Sequence, residues 1–261
     1  MHLSTTAAAL LAAFPLGASA HGFVQYITPQ PPNPPTRHLG YDPGFRFSTP
    51  PPRVAGWYAD NPDIGFVPPS SFSHPDIICH KSAVPGALHI PVRAGTNLTL
   101  QWLTWPESHV GPVMDYLAPC PGGDCSKVEK TGLRFTKIAQ AGLKEGVTWE
   151  TNWLHAWRVD ELVRGGNFEW TVQVPKGLKA GAYVLRHEIL ALHSAWERGG
   201  AQAYPQCVNL MVEGDGGEVV ELPEGGDVRG FYGEEDPGVL VNVYGGLTRY
   251  EFPGPEVWDG K

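Results

Sequence analysis

Asn97-Leu98-Thr99-Leu100-Gln101-Trp102 sets polar against apolar residues in strict alternation, and Asn167-Phe168-Glu169-Trp170-Thr171-Val172-Gln173-Val174 repeats the pattern. Side chains two apart share one face of an extended chain, so a period of two predicts strands with one buried and one wet face. Leu88, Ile90 and Val92 carry the alternation upstream, and residues 183–193 and 204–212 read as more buried strands. Pro175-Lys176-Gly177 and Ala180-Gly181 are turn signals between them. Only 153–164 has helical character, and that run is short. Short strands between Gly/Pro turns predict an all-β fold, a two-sheet β-sandwich with little helix.

Upstream, residues 29–75 are dense in proline: PQPPNPP, STPPPRVAGWYADNP and VPPSSFSHP. Proline at this density excludes helix interiors and central strands. Trp57, Tyr58, Phe66 and Phe72 argue against a flexible linker, which rarely carries large aromatics. The segment reads as a long ordered surface loop, a feature often tied to function. The 261 residues suit one all-β domain or two small ones. There is no internal repeat, no second composition regime and no Ser/Thr-rich linker to a terminal module, so residues 21–261 are expected to form a single domain without a separate terminal module.

At the other end, residues 1–20 read as a secretory signal: an apolar run over 7–16, then Ala18-Ser19-Ala20, the small-x-small pattern that precedes cleavage. No later apolar run is long enough to cross a bilayer, so the expected product is secreted and extracellular. A net charge of -8 makes nucleic acid and anionic membranes poor partners, and leaves a neutral polysaccharide compatible. Four cysteines in a secreted chain suggest two disulfides. Four allow three pairings; the turn Pro121-Gly122-Gly123-Asp124 can bring Cys120 to Cys125, which leaves Cys79 with Cys207. Asn97-Leu98-Thr99 is an N-glycosylation sequon on the polar face of a predicted strand.

Cleavage after Ala20 would leave His21 as the first residue, with a free α-amine and an imidazole on one residue. The amine, with a pKa of about 7.7–8.0, gives up its proton to a metal readily near neutrality. Uncut, the same nitrogen is a peptide N–H and binds nothing. Three more stretches carry polar chemistry: Trp105-Pro106-Glu107-Ser108-His109-Val110-Gly111-Pro112, Arg186-His187-Glu188-Ile189-Leu190-Ala191-Leu192-His193-Ser194, and Gly200-Ala201-Gln202-Ala203-Tyr204-Pro205-Gln206-Cys207. Gln202 and Tyr204 are two apart and point to one side of an extended chain.

Taken in order, His21 after its signal, SHVGP, DYLAPCPGGDC, LRHEILALHS, GAQAYPQC and the late YEFPGP resemble the fungal lytic polysaccharide monooxygenases of auxiliary activity family 9. The resemblance runs from His21 to about Trp258. It implies an immunoglobulin-like, fibronectin-like sandwich with one copper ion on a flat outer face. The His21 amine and imidazole and the His109 imidazole would hold that copper in a histidine brace, and Tyr204 would lie at a distant axial position. His193 and Gln202 match the pair that hydrogen-bonds oxygen species beside the metal. The implied partners are cellulose or a related polysaccharide, dioxygen or hydrogen peroxide, and an external electron donor, for a protein expected to act as a monomer. Tyr250 matches the family's late surface tyrosine for sugar stacking, and Trp57 is a weaker candidate of the same kind. His80, His155, His187 and Glu188 have no match and read as structural. The turn inside Cys120–Cys125 carries Pro-Gly-Gly-Asp where a shorter Asn-Gly-Asp is expected, and the Pro-rich segment lies where the family varies its substrate face.

Three other classes compete. A non-catalytic carbohydrate-binding sandwich needs no His21, His109 and Tyr204 together. A copper carrier would lack His193 and Gln202. A hydrolase would need a nucleophile elbow, a His-Glu-x-x-His zinc site or a placed carboxylate pair; the first two are absent from the sequence.

Overall fold

The structure, a computed structural model, describes residues 22–31, 36–147 and 155–260. The signal assigned to 1–20 and the ligand role assigned to His21 lie outside the described residues, as do 32–35 and 148–154. The described strands form two sheets. The first runs β2 (His38–Leu39), β1 (Val24–Gln30), β4 (Asn97–Trp102), β7 (Glu169–Gln173), all antiparallel. The second runs β3 (Ile90–Arg93), β9 (Gln202–Glu213), β8 (Gly181–Ala191), β5 (Val113–Pro119), β6 (Thr136–Ala141), with only the β3–β9 pair parallel. Among the described residues α-helix is limited to two short pieces, α1 (Asp76–Cys79) and α2 (Asp160–Arg164). The second falls inside the predicted 153–164, and among the described residues no helix is long and apolar enough to cross a membrane.

The alternating segments behave as expected: Leu98, Leu100 and Trp102 are buried in the core, and Asn97, with its sequon, is exposed. Sequence patterning missed β1, β5 and β6. For β5 the reason is physical: Val113 through Ala118 are all buried, so a strand covered on both faces shows no alternation. Strand β8 is the same, and it carries Arg186, His187 and Glu188 in succession, all buried. His187 faces the other sheet. Its Nδ1 meets Asp115 Oδ1 at 2.7 Å, and the Trp102 indole N–H donates to its Nε2 at 3.1 Å. An acceptor at Nε2 requires the proton on Nδ1, so His187 donates to Asp115. The Trp170 indole N–H donates to the other Asp115 oxygen at 3.2 Å. Both indoles come from the first sheet and both acceptors from the second, so this network ties the two layers.

On the opposite face of β8, Arg186 is bidentate to Glu188 and donates to the carbonyls of Ile77 and Ile78 in α1. The Tyr232 hydroxyl donates to Glu188. Beside it, Cys79 is bonded to Cys207, and Cys120 to Cys125, which are the pairings expected from sequence. The first closes a separation of 128 residues and the second one of 5. Chain-entropy reasoning gives about 5 and about 2 kcal/mol respectively.

The Pro-rich segment lies along the part of β9 that β3, paired at residues 210–213, does not reach. Gly56 bridges Val208, Val67 bridges Ala203, and the Trp57 N–H donates to Cys207 O at 2.9 Å. Trp57 is only 2% exposed, and its indole N–H donates to Asn209 Oδ1. This corrects the sugar-stacking role expected of Trp57: a buried ring cannot reach a substrate. Tyr41 and Phe72 of the same segment are buried as well.

Removing the Asp115 carboxylate by Asp115→Ala strands two buried N–H groups and should cost about 3 kcal/mol, lowering the melting temperature by roughly 6–12 °C. An unchanged melting temperature would show that the layers do not depend on this network. His80 offers a pH test. Burial, aided by Lys81 and opposed by a bond to Gly65 O, Asp63 and Asp76, pushes its pKa from 6.5 down to about 4. The unfolded chain therefore takes up the proton first. Stability is full above 6.5 and falls as pH drops toward 4, by about 3 kcal/mol in all. Denaturant midpoints measured from pH 7 to 4 should show this slope, and His80→Gln should flatten it.

Candidate metal centre

Four of the residues singled out in sequence meet at one end of the second sheet. Trp105 is the post around which they stand. Its indole N–H donates to His109 O at 3.1 Å, its ring meets the His109 ring edge-on at 5.8 Å, and it meets the Tyr204 ring edge-on at 5.0 Å. The His109 N–H donates to Pro106 O, closing the turn that Trp105-Pro106 begins. Downstream of that turn, Leu192 N–H donates to Val110 O and Leu190 N–H to Pro112 O, so residues 110–112 run beside the end of β8. Gly111 permits this approach: a Cβ there would lie 1.9 Å from Leu190 O. The pairing sets His109 and His193 ring on ring, with centroids 3.9 Å apart and planes at 26°.

Strand β9 starts at the same end, with Ala191 opposite Gln202 and Ile189 opposite Tyr204. Gln202 and Tyr204 share a side, as their spacing predicts, and the Tyr204 hydroxyl donates to Gln202 Oε1 at 2.7 Å. Tyr204 is fully buried. Burial, with a smaller effect of Asp63, pushes its phenol well above the usual range, so the hydroxyl stays protonated at any ordinary pH. Its proton lies on Gln202, which leaves the Gln202 amide N–H groups as donors. The Ser108 hydroxyl stands 3.2 Å from His109 Nδ1. That contact engages Nδ1, so Nε2 is the ring nitrogen that would meet a metal.

His21 itself lies outside the described residues, but its neighbour is informative. Gly22 is buried against Thr104, one residue before Trp105, and a Cβ on it would lie 2.0 Å from Thr104 O. The Leu103 N–H donates to Phe23 O in the same place. The first described residues of the chain are thus held beside the post of the site. An imidazole, a neutral phenol and an amide form a donor set suited to a nitrogen-loving transition metal once an amine and second imidazole join them.

Tyr250 does not lie open on the face. It is half-buried, its hydroxyl donates to Gly238 O, and its ring packs edge-on against Trp157 at 4.9 Å and Phe252 at 5.1 Å. Burial raises its phenol well above the usual range. This corrects the stacking role expected of Tyr250; the ring anchors the late segment. The exposed aromatics nearest the site are two that sequence reasoning missed. Tyr244 donates its hydroxyl to His193 O at 2.8 Å, and Trp196 meets its ring at 5.3 Å. The signals were present: a lone Trp in the polar turn after His193, and a Tyr before Gly245-Gly246. His80, His155, His187 and Glu188 are held by Gly65, Asp160, Asp115 and Arg186 respectively, as structural groups.

The chain has close relatives. The profile of Auxiliary Activity family 9, formerly GH61, matches residues 21–251, beginning on His21. AA9 family lytic polysaccharide monooxygenase F of Malbranchea cinnamomea is 46% identical over 258 residues, which cover 99% of this chain and 98% of the relative. AA9 family lytic polysaccharide monooxygenase A of Thermoascus aurantiacus is 45% identical over 92% of this chain and 100% of its own. Among solved structures, a glycoside hydrolase family 61 member from Hypocrea jecorina superposes with a TM-score of 0.82 at 38% identity, over 91% of this chain and 100% of that one. A cellulose-active polysaccharide monooxygenase from M. thermophila superposes with a TM-score of 0.76 at 29% identity, over 92% of this chain and 100% of that one.

Gly111→Ala should force the 110–112 connection off β8 and separate His109 from His193. The expected cost is about 2 kcal/mol or more in stability. A variant that melts like the parent with the rings still stacked would show that the close approach is not what places His109.

Proposed function

The chain belongs to Auxiliary Activity family 9 and is a lytic polysaccharide monooxygenase, an enzyme of oxidative polysaccharide cleavage; on that premise we propose that it works with one copper ion held by His21 and His109 and that cellulose is its substrate. The observation that carries the copper reading is that His109 and Tyr204 meet on Trp105, with His193 stacked on His109, Gln202 bonded to Tyr204, and Gly22 packed against the neighbouring Thr104. The His21 amine and imidazole and His109 Nε2 would hold the ion, a set of three nitrogens that suits copper. When bound and reduced by an external donor, copper supplies the activation of dioxygen or hydrogen peroxide that leads to hydroxylation of a carbon next to the glycosidic bond.

The protein's own share is orientation and hydrogen bonding. Ser108 and the flanking rings hold His109 in one pose. Tyr204 presents a neutral oxygen rather than a phenolate, because burial keeps its proton on and Gln202 accepts the bond. With its oxygen taken by Tyr204, the Gln202 amide would keep its N–H groups for a species bound at the metal, and His193, stacked on His109, would add a second polar group there. Together they would orient the oxidant. The resemblance to a cellulose-active structure supports cellulose as substrate. The profile match starting at His21 supports cleavage after Ala20, secretion, and a free amine.

Protein beginning at His21 should bind copper tightly and, with a reductant, release oxidised oligosaccharides from swollen cellulose, read by mass spectrometry. His109→Ala should weaken copper binding at least about 100-fold in calorimetry. A form with one residue ahead of His21 should bind weakly and release none. Equal activity from that form would remove the amine from the ligand set, and unoxidised sugars would point to hydrolysis.

A further inference from the structure

Trp196 stands out among the tryptophans. It is 48% exposed, and among the described residues nothing accepts its indole N–H. Trp57, Trp102, Trp105 and Trp170 each donate theirs to a protein acceptor. An exposed indole with an uncommitted donor is an amphipathic surface, apolar over its face and polar at one edge. A pyranose ring is its chemical counterpart, with C–H groups on its faces and hydroxyl acceptors around its rim.

The backbone that carries the ring is also tightly tied. The turn that carries it is closed by Ala195 N–H to Leu192 O, Glu197 N–H to Ser194 O and Gly200 N–H to Glu197 O. A Cβ on Gly200 would lie 1.9 Å from Ser194 O, so the turn closes only around glycine. The neighbouring loop is stitched to it three times: Val241 N–H donates to Ala195 O, Arg198 pairs with Glu234 at 2.6 Å, and the Tyr244 hydroxyl donates to His193 O. Trp196 and Tyr244 therefore belong to one fixed unit attached to His193, and binding against it requires little ordering. Their planes meet at 64°. Two rings at that angle cannot both lie flat under one surface: a sugar stacked on either one meets the other as a wall.

Resting on the proposed cleavage of a β-linked glucan at this site, we propose that Trp196 is a specificity-determining residue, an upright wall that grips a single separated glucan chain and hinders docking on a broad crystal face. A lone chain can lie on Tyr244 with its flank against the indole. A sheet of parallel chains cannot pass the wall without losing contact with the rest of the face.

The test uses copper-loaded protein beginning at His21, without reductant, so that binding is read apart from turnover. Trp196→Ala should raise the dissociation constant for cellohexaose about tenfold in calorimetry. It should also lower the ratio of protein bound to amorphous over microcrystalline cellulose at least about threefold. Trp196→Phe keeps an apolar ring but has no N–H, and should fall between the two. Unchanged affinity and an unchanged ratio in Trp196→Ala would overturn the proposal, as would wild-type protein that does not bind cellohexaose. If wild-type protein binds and Trp196→Ala responds as stated, yet reductant yields no oxidised products, the cleavage reading fails and the role of Trp196 stands.

Discussion

The constraint on which the molecule depends is the carboxyl of Asp115 in the middle of the sandwich. A carboxyl without partners in an apolar interior is costly, and here each oxygen accepts a ring N–H, one from His187 and one from Trp170. Satisfying it sets the distance and register between two sheets that otherwise meet through non-directional apolar contacts. The effect carries outward along aromatic contacts. Trp102, bound to His187, packs edge-on against Trp105 at 5.1 Å, and Trp105 orders His109 and Tyr204. A polar tie at the centre thus fixes side chains at the end of the sandwich, through rings too large to repack without leaving voids.

That end is where three tightly paired strands finish together. Strand β8 stops at Ala191, β9 starts at Gln202, and the connection into β5 carries His109. Backbone pairing places groups more reliably than a free loop does, and the chemistry here calls for fixed positions. The other long segments act as covers. Arg186 holds α1 to the outer face of the second sheet through two carbonyls, and the Cys79–Cys207 bond fastens the same place covalently. The Pro-rich segment covers β9 at Ala203 and Val208, where β3 does not extend. An open edge there would offer unpaired N–H and C=O groups to other chains, and proline, lacking an N–H, suits a segment at such an edge.

Much of this was legible in residues. Period-two alternation located β4 and β7, and the cysteine turn identified both disulfides. The two-residue spacing of Gln202 and Tyr204 put them on one side. His109 and His193, 84 positions apart, came together in expectation only through family resemblance, because contact across strands leaves no local signal. Strands β5 and β6 were missed where burial on both faces, or a weakly patterned run such as Thr136–Ala141, removes alternation. Trp57 and Tyr250 were misplaced for a common reason. A large aromatic among prolines and glycines reads as exposed, but loops covering a sandwich need rings of their own to pack, and Trp57 fills such a place beneath Asn209 while Tyr250 does so against Trp157.

This displacement has a consequence for how substrate choice is encoded. The described Pro-rich segment turns Tyr41, Trp57 and Phe72 inward and uses its backbone on β9, so altering those rings would disturb the sandwich before it altered the outer face. The two loops that meet at His193 are different. Their hydrogen bonds run mostly through backbone atoms and the Tyr244 hydroxyl, which leaves the Trp196 side chain half-exposed beside the Tyr244 ring rather than in the core. A position held by its backbone and open at its side chain can change residue without loss of fold. The residues proposed to serve the metal have less freedom: His109 and Tyr204 are buried against Trp105, His193 is stacked on His109, and Gln202 is bonded to Tyr204. Chemistry and selectivity are therefore written into separate parts of one surface, the first where packing forbids change and the second where only the backbone is committed.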